Sequence, residues 1–178
     1  METLKLIFMA ILLTGISDLS AQAVWQTSTQ NYNGNEYIIE DSKYIRSVTN
    51  KKYASFNDNA TSDIEFEGER EETFLKRSEG LMESIYKVAN EVFDFGNIPV
   101  SRKSLYRLSL VCYFDSKTKN YVGAYFVFDT QVKNYITLQK LNLLESKLLQ
   151  ANLNAGTTNM KDPNEKYFIK EIDIPIGR

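Results

Sequence analysis

Five glutamates crowd one short stretch of this chain: Glu65, Glu67, Glu69, Glu71 and Glu72. Two carboxyl groups facing each other across a cleft suffice for glycoside hydrolysis, one as acid and one as base or nucleophile. A small hydrolase using a carboxylate pair is therefore one function to consider. The plainer reading is a solvated strand end and helix start, because such pairs normally come from different strands of a larger fold. Asp115 and Asp129 flank a hairpin and read as turn residues. The stretch 57–63 is rich in Asn and Asp, but it lacks the central glycine and closing glutamate of a calcium loop, so it reads as a surface turn.

Other chemistries are excluded by residue type. The chain has no histidine, which removes Ser-His-Asp and Cys-His constellations and His-ligated zinc. Its one cysteine, Cys112, cannot form an intramolecular disulfide or a thiolate metal site. Cys112 lies within an apolar run and reads as a buried core residue. The eight glycines are scattered and no glycine-lysine-Ser/Thr run occurs, so nucleotide chemistry is disfavoured and no cofactor is expected. With 21 basic against 23 acidic residues, there is no electrostatic reason to bind nucleic acid or an anionic membrane.

What remains is aromatic. The chain holds 11 Tyr, 10 Phe and 1 Trp. If residues 105–114 and 121–128 form a hairpin, Tyr106, Leu108, Leu110, Cys112 and Phe114 share one face with Val122, Ala124, Phe126 and Phe128. Tyr113, Tyr121 and Tyr125 then lie together on the opposite face. Exposed, they would suit a protein partner or a sugar, with Trp25 as a further candidate. Alternatively a second layer, drawn from residues 24–66, covers them.

The elements that would hold these residues follow from periodicity. Tyr37-Ile38-Ile39 and Tyr44 to Val48 are short strand candidates separated by turn residues. A helix is expected over 69–95, with acidic residues in its first turn and apolar residues at three- and four-residue steps. Gly80 inside it suggests a bend or close crossing. The hairpin follows, then a Leu-rich helix over 137–152. The chain closes on a strand over 167–176 in which Phe168, Ile172, Ile174 and Ile176 alternate with polar partners. The expected fold is α+β, an antiparallel sheet in the order β-β-α-β-β-α-β with two helices on one face.

From Leu105 onward, this layout resembles the C-terminal domain of TonB-type energy transducers. The shared parts are a strand, an Asp-containing turn, a second strand, a Leu-rich helix and a final strand ending Ile172-Asp173-Ile174-Pro175-Ile176. The transducer's membrane anchor, Pro-rich spacer and aromatic-Lys-Pro segment are absent. The resemblance implies at most a protein-interaction module at the cell envelope. As a whole, the chain is similar to small exported bacterial proteins of unknown function.

Residues 1–23 have the order of a signal peptide. Lys5 supplies a positive start, an apolar run follows, and Ala21 and Ala23 supply the small residues before cleavage. The apolar run is shorter than the roughly 20 residues a membrane span requires. The expected mature chain, 24–178, is one domain: a polar segment over 24–66 and a helix-hairpin-helix-strand core over 67–178. The expected product is periplasmic or secreted. It carries no lipid anchor, since no cysteine follows Ala23 closely, and no integral membrane span. It is expected to be a non-enzymatic binding domain for an unknown protein or glycan of the envelope.

Overall fold

The computed structural model describes residues 25–63, 71–95, 98 and 107–176. The cleavage residues Ala21 and Ala23 lie outside them, as do Glu65, Glu67, Glu69, Leu105 and Tyr106. Strands from both halves of the chain share one seven-stranded sheet in the order β1 (Gln26–Tyr32), β2 (Asn35–Asp41), β3 (Ile45–Asn50), β6 (Tyr121–Asp129), β5 (Arg107–Asp115), β7 (Tyr167–Pro175), β4 (Ala60–Ser62). Every pairing in it is antiparallel except the short one between β4 and β7.

The first strands are a meander built by turn chemistry. β1 (Gln26–Tyr32) and β2 (Asn35–Asp41) are joined by Asn33 and Gly34, with φ of 50° and 76°. Two central residues at positive φ are what a type I′ turn requires, and Asn-Gly meets that requirement with little strain. At the next turn Ser42 Oγ accepts from the Ile45 amide at 3.0 Å, and β3 (Ile45–Asn50) runs back. A helical turn over Lys51–Tyr53 and another over Asn57–Asn59 lead to β4 (Ala60–Ser62), which pairs in parallel with β7. The sequence-based order of elements is thus corrected in two places. β1 is polar and exposed up to its last residue, Tyr32, and so lacks strand periodicity. β4 takes up three of the seven residues, 57–63, expected to be a surface turn.

α1 (Glu71–Phe93) precedes the hairpin of β5 (Arg107–Asp115) and β6 (Tyr121–Asp129). Asp115 Oδ1 accepts from the amides of Lys117 and Thr118 at 3.0 and 2.8 Å and closes the hairpin turn. Asp129 caps the helical turn Thr130–Val132 through the Gln131 amide at 2.7 Å. α2 (Leu138–Gln150) begins at Thr137, whose hydroxyl accepts from the Lys140 amide. β7 (Tyr167–Pro175) ends the sheet next to β5.

One large core joins both helices to a single sheet face. Leu81, Ile85, Ala89 and Phe93 of α1 and Leu141, Leu144 and Leu148 of α2 pack with Leu108, Leu110, Phe114, Phe126 and Ile172. Each such buried Leu, Ile or Phe side chain contributes about 1.5–3 kcal/mol. Gly80 marks no close crossing, since a Cβ there would meet nothing within 4 Å.

The opposite sheet face carries a second, smaller cluster: Tyr53, Val111, Tyr113 and Tyr125, with Phe56 packed against them. The chain between β3 and β4 supplies this cover. A register shift at Tyr113/Phe114 places Phe114 opposite Tyr121 rather than Val122. Because side chains alternate along a strand, this bulge moves Tyr121 to the helix-covered face and Val122 to the other. Simple alternation had placed both the other way round.

Candidate functional site

The most concentrated chemistry lies where α2 meets the ends of β2 and β3. Glu145 sits on α2 four residues after Leu141 and three before Leu148, inside the helix's apolar arc, and is 2 % exposed. Its Oε1 accepts from Tyr53 Oη at 2.9 Å and from Lys52 Nζ at 2.6 Å. Tyr37 Oη donates to Oε2 at 3.3 Å, and Asn50 Nδ2 lies 3.1 and 3.2 Å from the two oxygens. Asn142, one turn earlier, donates to Tyr37 Oη at 2.7 Å. Asn50 also donates to Asn35 and accepts from the Lys52 amide, which fixes the start of the helical turn carrying Lys52 and Tyr53.

A carboxylate taken out of water costs several kcal/mol unless donors replace the water. Here four side chains from three elements do so. Burial pushes the Tyr37 hydroxyl up to about 12, with the neighbouring Glu145 charge adding to it and Asn142 opposing. Burial raises the Tyr53 hydroxyl further, again with Glu145 adding. Both hydroxyls therefore stay protonated at neutral pH and serve as donors. A general acid or base instead needs a proton it can exchange near the working pH. With its oxygens bonded on all sides, Glu145 is arranged to clamp α2 to β2 and β3 rather than to react.

A second buried charge pair closes the other side of the molecule. Lys170, on the core-facing series of β7, pairs with Asp63 and donates to Ser78 of α1 at 3.1 Å. Asp63 also accepts from the Asn159 amide at 2.8 Å. Cys112 is fully buried and its thiol is pushed up by that burial, away from the range of reactive cysteines. Among the described residues, no group of three or more His, Cys, Asp and Glu could hold a metal ion.

The three tyrosines assigned to the second hairpin face are not on the surface. Tyr113 is 0 % exposed, Tyr125 6 % and Tyr121 7 %. Tyr113 and Tyr125 lie ring to ring at 6.0 Å under Tyr53 and Phe56, and Tyr113 Oη donates to Asn57. Tyr121 faces the helices because of the bulge. Of the two readings the sequence left open, the covered one holds for Tyr113 and Tyr125, which the segment between β3 and β4 roofs. The register shift turns Tyr121 to the helices, so the reading of all three as exposed binding residues is corrected.

Two other aromatics are exposed, and they share one end of the sheet. Trp25 is 42 % and Tyr44 55 % exposed. The β1–β2 register sets Gln26 against Asp41, which brings Trp25 to the end where the β2–β3 turn holds Tyr44. That turn is braced from outside. The Thr130 amide donates to Tyr44 O at 2.9 Å, and Thr130 Oγ1 to Lys43 O at 3.0 Å. Beside it Arg46 grips Asp41 through two bonds of 2.6 and 2.7 Å, which hold that carboxyl below its usual range. Lys43 Nζ lies 5.0 Å from the centre of the Tyr44 ring. Among the described residues, no helix is long and apolar enough to cross a membrane.

No protein-family model matches this sequence, and no curated protein matches it. Among solved structures it is similar to a DUF5043 family protein from Bacteroides uniformis ATCC 8492, with a TM-score of 0.59 at 12 % identity. The match covers 91 % of this chain and 99 % of that one, so the likeness spans most of both. At that identity the likeness speaks for the α+β architecture alone. The transducer layout of residues 105–176 gains no support from these comparisons.

Proposed function

We propose that this chain is a non-catalytic binding domain that acts outside the cytoplasm and contacts a protein of the cell envelope through the sheet end bearing Trp25 and Tyr44. The observation that carries this reading is the division of labour between buried and exposed groups. The buried charges of Glu145, Lys170 and Asp63 are spent on bonds inside the molecule. Meanwhile two large aromatic rings stand exposed on a turn and strand end held in place by Ser42, Thr130 and the Arg46–Asp41 pair. Aromatic side chains on a rigid support are favoured contact residues, because they bury much area with little loss of freedom. Residues 1–23, read as a signal peptide, supply the compartment.

Capture from envelope extracts tests this reading, with a glycan array run alongside. A partner protein bound by the wild type and lost with Trp25→Ala supports it. Binding to the array alone, lost in the same variant, would replace the protein partner by a carbohydrate. No binding in either assay would sink the reading.

A further inference from the structure

We propose that two copies of this chain join edge to edge through β1, antiparallel, about a two-fold axis at Thr29. β1 is the outer strand at one end of the sheet. Its residues Gln26 to Asn31 are all exposed. Natural edge strands are normally blunted by charge, by proline, by a bulge or by a cover, because their free amides and carbonyls attract further strands. The sequence QTSTQNY has no charge and no proline, and its pairing with β2 is unbroken.

The turn fixes which backbone groups are free. In a type I′ turn over Asn33 and Gly34, the Tyr32 carbonyl accepts from the Asn35 amide. Bonded pairs alternate along an antiparallel ladder, so Tyr32, Gln30, Ser28 and Gln26 bond to β2. Thr27, Thr29 and Asn31 then point their amides and carbonyls away from the sheet. Laid against a second β1 about Thr29, these three meet in complement: Thr27 faces Asn31 of the other copy, and Thr29 faces its own equivalent.

The same surroundings select a second copy over a loose peptide. Peptide capture by strand addition draws its specificity from pockets for alternate side chains. Here residues 26–31 of β1 are exposed and only Tyr32 at its end packs against the core, so no row of pockets flanks an incoming segment. A second copy brings a whole sheet with its own core. The other end of the sheet is β4, only three residues long, so it offers little to a further copy and the assembly closes at two.

Sedimentation of the purified protein over a range of concentrations tests this, with Thr29→Lys and Thr29→Asp as variants. Thr29 is exposed, so both variants should stay folded, with the circular-dichroism spectrum of the wild type. The expected result is a wild-type dimer, with association weakened at least about fivefold in each variant, since like charges then meet directly across the axis. An equimolar mixture of the two variants should recover the dimer. A wild type that stays monomeric overturns the proposal. So does a Thr29→Lys protein that dimerises as the wild type does, or a mixture that fails to recover association.

Discussion

Glu145 places a negative charge in a helix face that otherwise buries leucines, and the surrounding donors make that placement tolerable. Replacing it with alanine would leave Tyr37, Tyr53 and Asn50 with polar atoms turned toward a void. Breaking a buried charge network by removing one partner costs about 3–5 kcal/mol. We therefore expect Glu145→Ala to lower the urea midpoint sharply, and Lys52→Ala to do so far less, because Lys52 is half exposed. If the two variants lost equal stability, the clamp would not rest on the carboxylate. Glu145 was findable in the sequence: it breaks the Leu141, Leu144, Leu148 stripe from within. Lys170 likewise interrupts the series Phe168, Ile172, Ile174 that faces the core. What the sequence withheld was the partners, which come from residues 92 to 108 positions away.

At the scale of elements, the β5–β6 hairpin depends on one absent side chain. Gly123 lies against the Tyr53 ring, and a Cβ there would sit 2.6 Å from it. Tyr53 cannot easily yield, since its hydroxyl is bonded to Glu145. Gly123→Ala should therefore cost about 1–3 kcal/mol by overpacking. Much of that cost should disappear when Tyr53 is already replaced by a smaller residue, a coupling that denaturant melts of the single and double variants would read. Full additivity would mean that the close approach carries no energy. The hairpin itself was legible from its alternating residues and its Asp115 turn. The bulge that turned Tyr121 was not, because one extra residue in a ladder leaves no mark in composition. β1 was hidden for a different reason: a strand exposed on both faces has no apolar period to read.

For the whole molecule, the sheet's two faces divide the work. The helices seal one face and the segment between β3 and β4 covers part of the other, while one sheet end keeps Trp25 and Tyr44 exposed. Alternation along residues 105–128 foresaw the apolar face of the hairpin that packs under the helices. It left open whether Tyr113, Tyr121 and Tyr125 were exposed, because exposure is decided by which segment folds over which face. The central claim is that recognition occurs at the Trp25–Tyr44 end. A photo-crosslinking residue placed at Tyr44 tests it most directly, compared with one at the exposed position Glu79 of α1. Exposure of both to envelope extract should give a discrete crosslinked protein from position 44 and none from position 79. The same product from both positions, or from position 79 alone, would contradict the account.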